Sequence, residues 1–399
     1  MKCKITNSEM KPFMSFGKMP IANGFLSKEE FEKEFFFDLE VGFSEKTFLF
    51  QLKDHPTPEQ MFNENYPFFT GSSLAMKSHF QEYANFIKEK FIKNNSKIIE
   101  IGSNDGTFLN NFKDSNLDYV GFEPSSNVAK IANQNGIKTL NQFFGFESLE
   151  LIKNFKHQTD VIFAANVICH IPNLVELIKT IDQLLSNDGV FIFEEPYLGS
   201  MFEKTSYDQI YDEHIFMFSA SSVQKIFNMY DFELIDVIKQ ETHGGSMRYI
   251  VSRKKVRDIS KNVQKILDNE KSMNLDNLES CNIFKKNCEA SKLKLNNILK
   301  KFISEGKKIV GYAATSKSTT VLNFCGIDFN TIEYICDTTK EKIGKYSPGM
   351  HIPIVSIDHF KADNPDIAYL FAWNHKDEIF KKEKKFSQNI GKWISHVEL

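Results

Sequence analysis

The sequence predicts an α/β protein with parallel sheets and a small β-rich module in front of them. From Ser96 onward, short apolar runs alternate with helical stretches: "KIIEIGS", "LDYVGFE", "TDVIFAAN" and "DGVFIFEEP". A second series begins at "KKIVGYAAT" and continues through "IEYICD" and "IAYLFAWNHKDEI". Strands that alternate with helices in this way are typical of a parallel sheet with helices on both faces.

Changes of pattern divide the chain into four segments. Residues 1–75 mix Phe-rich runs with Pro and Gly turns, which indicates a small irregular β module. Residues 76–255 open with apolar residues at helical spacing and carry the first strand–helix series. Residues 256–304 are rich in Lys and Asn with spaced apolar residues, so we expect a helical connector, and residues 305–399 carry the second series.

Composition excludes several classes of function. The net charge is 49 − 52 = −3, so the chain lacks the general basic field that attracts nucleic acid. The first residues lack the apolar region of a signal peptide, and no run reaches the roughly 20 apolar residues of a membrane span. The six Cys show no paired spacing, which favours a reducing compartment. We expect a cytoplasmic monomer with no nucleic-acid or membrane partner.

The stretch "KIIEIGSNDGTF" combines a strand, a Gly-containing turn and a helix start. A dinucleotide fingerprint needs three glycines, whereas here Gly102 and Gly106 flank Asn104, and Glu100 stands at the strand end. This pattern suits a ligand without a phosphate, because the carboxylate can meet a cationic amino-acid portion. Glu123 ends the next strand, where an acid takes the two ribose hydroxyls. The alternative is a structural glycine turn followed by an ordinary strand-end acid.

Taken together, these features resemble the class I S-adenosylmethionine-dependent methyltransferases. In that interpretation Asn141, Phe143 and Phe144 lie beside the adenine after the third strand, although the two Phe could instead be plain core. Ala165 and Asn166 follow the fourth strand, next to the ribose and the methionine part. Asp105 and Pro124 belong to the same two donor loops as Gly102 and Glu123.

A cluster of polar and aromatic residues follows the apolar run "FIFEEPYLG". The stretch "YDQIYDEHIFMFS" contains Tyr211, Glu213 and His214, and "AANVICHIPN" adds His170 at the same end of the sheet. Methylation of carbon requires a general base and a group that stabilises an enolate, and His titrates near neutral pH. A lone His beside aromatic residues is often structural, but two converging His favour a catalytic centre.

Nearly the whole chain resembles the sugar C-methyltransferases that act on nucleotide-linked ketosugars in deoxysugar pathways. The stretches that carry this resemblance are "MPIANGF", "NYPFFTGSS", "EIGSNDG", "FEPSSNVA", "ANVICHIPNL", "YDQIYDEHIFMFS", "THGGSMR", "GYAATSKSTTVLNFCGI" and "SPGMHIPI". The resemblance implies an N-terminal zinc-binding type of module, a central Rossmann-like class I methyltransferase sheet and a C-terminal Rossmann-like domain. It also implies S-adenosylmethionine as donor and a ketosugar linked to a dTDP- or GDP-type nucleotide as substrate.

The resemblance implies roles for individual residues as well. His214 would be the base that removes the proton alpha to the ketone, and further side chains would surround the sugar: Tyr211, Glu213, His170 and Tyr66. Substrate-binding residues are expected in three other stretches: Ser72 and Ser73; His243 and Arg248; and Lys317, Ser318 and Thr319. The last group has an alternative, because the same residues could cap a helix.

One departure from the family concerns zinc. The family carries two C-x-x-C pairs near the N-terminus, which give a closed four-thiolate site. Here Cys3 is alone, Thr6 stands where its partner would be, and "EVGFSEKTFLF" contains no Cys. We therefore expect no bound zinc.

Two other functions remain open at this point. An O- or N-methyltransferase acting on a nucleotide sugar would need a base but no group that polarises a ketone. A non-catalytic protein that binds sugar nucleotides would keep the fold without the chemistry, although the intact donor turn and the His, Tyr and Glu cluster argue against it.

Overall fold

The computed structural model describes residues 1–64, 66–113, 116–388 and 391–398. These residues form a four-stranded, a seven-stranded and a five-stranded sheet. No helix in the described part of the chain is long and apolar enough to cross a membrane.

The first sheet is antiparallel and belongs mainly to the N-terminal part of the chain. Its strands there are β1 (Lys11–Pro20), β2 (Phe36–Ser44) and β3 (Leu49–Leu52), and a short helix follows, α1 (Pro58–Met61). Phe side chains fill its interior: the rings of Phe13 and Phe50 are 4.8 Å apart, and Phe43 and Phe50 meet edge to face. This packing gives the module an apolar core of its own.

The central sheet contains seven strands and carries the first strand–helix series. Its strands are β4 (Lys97–Ile101), β5 (Asp118–Phe122), β6 (Thr139–Leu140), β7 (Thr159–Ala165), β8 (Leu185–Pro196), β10 (Phe232–Gln240) and β11 (Ser246–Arg253). The spatial order is β6-β5-β4-β7-β8-β11-β10, with β11 antiparallel to both neighbours and the first five strands parallel. This arrangement confirms the predicted Rossmann-like class I methyltransferase sheet.

Helices cover both faces of the central sheet because its strands are apolar on both sides. The helices are α2 (Leu74–Phe91), α3 (Ser126–Gln134), α4 (Ser148–Leu151), α5 (Leu174–Leu184), α6 (Leu198–Lys204) and α7 (Ala220–Asn228). Along β7, Phe163 packs under Phe108 and Phe112 on one face, while Ile162 and Ala164 join the core of the other face. The buried strands therefore hold the loops at their carboxyl ends rigidly.

A short strand, β9 (Phe216–Met217), connects the central part of the chain to the first sheet. It pairs with β3 through Phe50 and Met217 and through Gln51 and Phe216. The Leu52 N–H donates to the carbonyl of Ile215 at 2.8 Å. The segment that carries His214 is thus fixed at its far end by the N-terminal sheet.

The C-terminal part begins with two helices, α8 (Lys261–Ser272) and α9 (Leu278–Ser304), and contains a fully parallel sheet. Its strands are β12 (Ile309–Tyr312), β13 (Ile335–Asp337), β14 (Ile354–Ser356), β15 (Ile367–Leu370) and β16 (Lys392–Ile394). Its helices are α10 (Ser316–Cys325), α11 (Ile357–Asp363), α12 (Lys376–Lys382) and α13 (Lys384–Gln388). The spatial order is β14-β13-β12-β15-β16, which is a Rossmann-like arrangement.

Candidate active site

A cavity of about 1000 Å³ lies where the carboxyl ends of the central and C-terminal strands face each other. Loops after β4, β5 and β7 line one end, and loops after β12, β13 and β15 line the other. Side chains within residues 58–62 and 66–72 and the segment around His214 form the walls between them. The volume is at the upper end of the roughly 300–1,000 Å³ usual for ligand pockets.

Glu123 lies in the wall directly after β5, and backbone groups hold its carboxylate. One oxygen accepts from the Asn104 N–H at 3.1 Å and the other from the Ser125 N–H at 2.7 Å. A carboxylate has about four acceptor positions, so each oxygen can accept one more hydrogen bond. This geometry fits the two hydroxyls of a ribose, as expected for the adenosine part of the donor.

Gly102 gives the donor turn its close approach to the loop after β7. Its φ is +70°, and an added Cβ would lie 2.3 Å from Cγ2 of Val167, so a larger residue does not fit. Asn166 also has positive φ, at 57°, and its side-chain oxygen is buried without a partner in the described structure. The close turn at Gly102 and the unpartnered oxygen of Asn166 both suit S-adenosylmethionine, whose ribose Glu123 would hold.

Most of the predicted donor-site residues line the cavity, but not all. Those in the wall are Gly102, Asn104, Glu123, Pro124, Phe143, Phe144, Ala165 and Asn166. Glu100 instead lies buried under the turn, where burial, together with Asp105 and Glu123, raises its pKa well above the usual value. A buried, protonated Glu100 does not suit the expected contact with a cationic group.

Three further donor-site candidates stabilise the loops from behind. Asp105 accepts from the Gly71 N–H at 2.7 Å and so ties the turn to residues 70–72. Gly106 packs on α3, where an added Cβ would lie 3.1 Å from Ala132. Asn141 donates to the carbonyls of Glu123 and Pro124 at 2.9 and 2.7 Å. The structure therefore gives these residues a supporting position outside the cavity lining.

His214 is held in one tautomer by its hydrogen bonds. Its Nδ1 lies 2.7 Å from the carbonyl of Gln209, and since a carbonyl only accepts, Nδ1 carries the hydrogen. In the neutral ring Nε2 is then the acceptor, and the Tyr211 hydroxyl donates to it at 2.8 Å. Burial, with a smaller contribution from His170, lowers the pKa of His214 well below its usual value. Nε2 is thus an unprotonated base facing the cavity.

His170 stacks on His214, with ring centroids 5.4 Å apart, and on Phe62 at 5.5 Å. Burial lowers its pKa to about 3, and its Nε2 has no partner among the described residues. The buried carboxylate of Glu195 positions it, because one oxygen accepts from three successive N–H groups just before His170 in the chain. A neutral His170 can donate a hydrogen bond to a ligand oxygen.

Glu213 and Asp212 form a pair of buried carboxyl groups beside these rings. Glu213 accepts from the Asn23 side chain at 2.6 Å, and Asp212 accepts from the Ala22 N–H at 2.9 Å. Burial raises the pKa of both, and Asp212 raises that of Glu213 further.

Tyr66 also lines the cavity, and burial raises its pKa well above the usual value, so its phenol stays protonated.

The expected substrate-binding residues separate into two groups. Ser72, His243 and Lys317 line the cavity. Ser73 caps α2 by accepting from the Met76 N–H at 3.2 Å.

Ser318 and Thr319 are buried in α10 and do not line the cavity. Ser318 donates to the Thr315 carbonyl at 2.5 Å, and Thr319 donates to the Ala22 carbonyl at 2.8 Å. The cap of this helix is Thr315, whose side chain accepts from the Ser318 N–H at 3.2 Å, so Ser318 and Thr319 are not the caps that the alternative expected. Lys317 alone of the three lines the cavity.

Arg248 lies away from the cavity, contrary to the expectation that it meets the nucleotide. Its guanidinium pairs with the buried Glu194 at 2.6 Å and stacks 3.7 Å above the ring of Tyr83. The register of β11 places Arg248 opposite Glu194 on β8. The residue is therefore part of the structural core of the sheet.

The two ends of the cavity differ in charge. Among the described residues, Lys or Arg side chains occur in the lining only after β12 and β13: Lys317, Lys340 and Lys342. The acidic residues at the donor end and along the walls are Glu59, Glu123, Glu147, Glu176 and Glu213, whereas at the other end Asp337 and Glu341 accompany the three Lys. Burial lowers the pKa of Lys317 and of Lys342, which indicates incompletely compensated positive charge.

Among the described residues, no metal-ligand cluster lies in the N-terminal module. Cys3 and Thr6 have the C-x-x-C spacing, and so do Ser44, at the end of β2, and Thr47, in the turn that follows it. The Cys3 thiol is buried and lies 3.8 Å from the Thr47 hydroxyl. Zinc in proteins is bound by Cys, His and carboxylates, so one thiol among hydroxyl groups does not fit it.

One cluster in the described structure could bring metal ligands together in the active site. Donor atoms of Cys169, His170 and His214 all lie within 4.8 Å of one another. Burial and the neighbouring Glu195 raise the pKa of Cys169 well above its usual value. The thiol is therefore protonated, which disfavours metal binding at this place.

Sequence reasoning missed many cavity residues, among them Asn23, Asp337 and Lys342. Asp337 ends a strand in "IEYICD" and so carries the same signal that identified Glu123. No local pattern marks Asn23, because it reaches Glu213 across 190 positions of the chain.

Comparison with known proteins agrees with this architecture. Three family models match in succession: a zinc binding domain at 3–62, a methyltransferase domain at 76–237 and a C-methyltransferase C-terminal domain at 241–397. The C-methyltransferase NovU of Streptomyces niveus is 28% identical over 384 residues, which cover 96% of this chain and 91% of NovU.

Solved structures are more distant. The PH0226 protein of Pyrococcus horikoshii OT3 is 12% identical with a TM-score of 0.36, over 47% of this chain and 94% of that chain. The magnesium protoporphyrin IX methyltransferase of Synechocystis PCC 6803, solved with its methyl donor, is 13% identical with a TM-score of 0.33. It covers 45% of this chain and 79% of that chain. The three successive family models and the full-length similarity make the chain similar to C-methyltransferases over nearly its whole length, and they support a methyltransferase activity.

Proposed function

We propose that the protein methylates a carbon of a nucleotide-linked ketosugar, with His214 as the general base. The observation that carries this proposal is the fixed tautomer of His214. Its Nδ1–H donates to the Gln209 carbonyl, so Nε2 carries the lone pair of the ring, in a residue that lines the cavity. Carbon alkylation beside a ketone needs such a base, because a C–H bond must lose its proton before the carbon becomes nucleophilic.

Substrate binding must rearrange the hydrogen bond between Tyr211 and His214. In the structure the Tyr211 hydroxyl donates to the lone pair of Nε2, which has room for one proton only. A bound ketone oxygen offers the Tyr211 hydroxyl another acceptor. When the hydroxyl donates to that oxygen instead, Nε2 of His214 is free to accept the α-proton. The electron pair of the broken C–H bond then moves toward the ketone oxygen, which gives an enolate.

Tyr211 and His170 are suited to stabilise the enolate oxygen. Both side chains are hydrogen-bond donors near neutral pH. Burial raises the pKa of Tyr211, so its phenol keeps its hydrogen, and the neutral ring of His170 carries one N–H. Donors placed in a buried site before the charge develops stabilise an oxyanion strongly. Glu213, held by Asn23, is suited to position the sugar or the base.

The charge difference along the cavity supports this orientation of the two ligands. S-adenosylmethionine supplies an electrophilic methyl group on a cationic sulfonium. The acidic residues at the Glu123 end favour a cation, whereas Lys317 and Lys342 favour the diphosphate of a nucleotide sugar at the other end. His214 and His170 lie between these ends, where the sugar carbon would meet the methyl group.

The experiment that tests the proposal follows exchange of the α-proton with deuterated water. The protein is incubated with S-adenosylhomocysteine and a panel of nucleotide-linked ketosugars, and deuterium uptake is read by mass spectrometry. We expect exchange with wild type and its loss in His214→Asn, whose amide can still donate to the Gln209 carbonyl. Turnover should fall by about 10²–10⁴-fold, the usual contribution of a positioned base.

The control for that experiment is His375→Asn, which changes a cavity-lining His at the C-terminal end. We expect this variant to exchange the proton at the wild-type rate.

Normal exchange in His214→Asn would mean that another group is the base. Methylation of a substrate without a ketone would instead favour an O- or N-methyltransferase, and failure to bind either ligand would favour a non-catalytic protein.

A further inference from the structure

The C-terminal sheet presents its own ligand-binding edge to the cavity. Its order, β14-β13-β12-β15-β16, corresponds to strands 3-2-1-4-5 in chain order, and its pairs are parallel. Ligands of such sheets bind at the carboxyl ends, where the strand order reverses. In this sheet that point lies between β12 and β15, and the loops after both strands line the cavity.

Asp337, the last residue of β13, repeats the contacts of Glu123 in the central sheet. One oxygen accepts from the Ala314 N–H in the loop after the first strand, at 2.7 Å. The other accepts from the Thr339 N–H two residues further on, also at 2.7 Å. Glu123 likewise accepts from the loop after its first strand and from the N–H two residues further on. Both acids end or directly follow the second strand of a parallel sheet.

This arrangement leaves acceptor capacity on Asp337. Each of its oxygens uses one acceptor position for the backbone, so one position remains on each for a ligand. Asp337 belongs to the cavity lining, and Lys317 and Lys342 line the same end. Lys342 donates to the Ala314 carbonyl at 2.7 Å, which places its charge beside the loop that Asp337 holds. A diol and a diphosphate would find complementary groups here within one cavity.

We propose that Asp337 binds the 2′- and 3′-hydroxyls of the substrate's nucleoside. This inference rests on the proposed function and specifies the substrate further: the sugar is carried by a ribonucleoside diphosphate and not by a 2′-deoxyribonucleoside diphosphate. The donor's ribose on Glu123 and the substrate's ribose on Asp337 would then lie at opposite ends of the cavity. The two sheets would use the same device for two different ligands.

The experiment measures the affinity of nucleoside diphosphates by calorimetry. Full-length protein is first saturated with S-adenosylhomocysteine, which keeps nucleotides out of the donor site. GDP, UDP, CDP and ribothymidine diphosphate are then titrated, each in parallel with its 2′-deoxy counterpart, which for the last of them is dTDP. We expect at least one ribonucleotide to bind roughly 10- to 150-fold more tightly than its 2′-deoxy form, the effect of one hydrogen bond to a charged group.

The variants isolate Asp337 as the origin of this preference. In Asp337→Asn the ratio between the two affinities should fall toward one, while S-adenosylhomocysteine binding stays normal and reports a folded protein. The matched control Glu341→Gln removes a charge from the same loop and should keep the ratio. The wild-type ratio needs no variant, so it tests the inference even if Asp337→Asn folds poorly.

The outcomes separate this inference from the proposed function. Equal binding of both forms to wild type would overturn the role of Asp337 and leave a nucleotide-linked substrate in place. A ribose preference that persists in Asp337→Asn would also overturn it. If S-adenosylhomocysteine binds and no nucleoside diphosphate does, the nucleotide-linked substrate itself fails.

Discussion

Replacement of Arg248 tests whether its guanidinium stabilises the protein core or binds a ligand. Replacing it by Met removes the guanidinium that donates to Glu194 at 2.6–2.7 Å, while keeping apolar bulk under Tyr83. Glu194 is 1% exposed, so its charge would remain buried, and among the described residues the His79 ring would be its remaining hydrogen-bond partner. Removal of one partner from a buried ion pair costs about 3–5 kcal/mol. We therefore expect the free energy of unfolding to fall by that amount.

The assay is urea denaturation, followed by circular dichroism, of Arg248→Met and of the double variant Arg248→Met, Glu194→Leu. Apolar replacement of a whole buried pair is often neutral, so the double variant should regain most of the lost stability. Donor and nucleotide affinities, measured well below the transition, should equal those of wild type. Unchanged stability together with weaker nucleotide binding would refute the core assignment and make Arg248 a ligand-binding residue.

Two other predictions concern metal content and pH. Protein purified without added metal should contain no stoichiometric zinc by elemental analysis, because hydroxyl groups accompany Cys3; one zinc per chain would show that other residues have rebuilt the site. Since the pKa of His214 is lowered, its neutral form persists as pH falls, so kcat/KM should show no decline centred near pH 6.5, the unperturbed value for His. A decline at that pH which is absent from His214→Asn would contradict the buried, neutral state of the base.

Strand ends were the part of the site that the sequence could predict. Glu123 follows an apolar run, and His170 and His214 follow two others, so the parallel-sheet prediction already placed them at one edge. Arg248 shows the limit of this reasoning. Its orientation depends on pairing with Glu194, which lies 54 positions earlier in the chain, and no local pattern in "THGGSMR" encodes that register.

The same limit applies to the first turn of α10. Lys317, Ser318 and Thr319 are consecutive, but successive helical residues point about 100° apart. Only Lys317 reaches the cavity, whereas Thr319 turns toward the N-terminal part and meets the Ala22 carbonyl. Which of the three faces a ligand depends on how the helix packs against distant segments, and this information is absent from the stretch itself.

The pairing of β9 with β3 has a consequence for biosynthesis of the protein. A ribosome releases the chain from its N-terminus, so β3 emerges more than 160 residues before its partner Met217. Until then, the edge of the first sheet has backbone groups free to pair with other chains. Completion of that edge and delivery of His214 to the cavity are one event, since β9 begins two residues after His214. A nascent chain that has protected its N-terminal edge has therefore also positioned His214, the general base in the function that we propose.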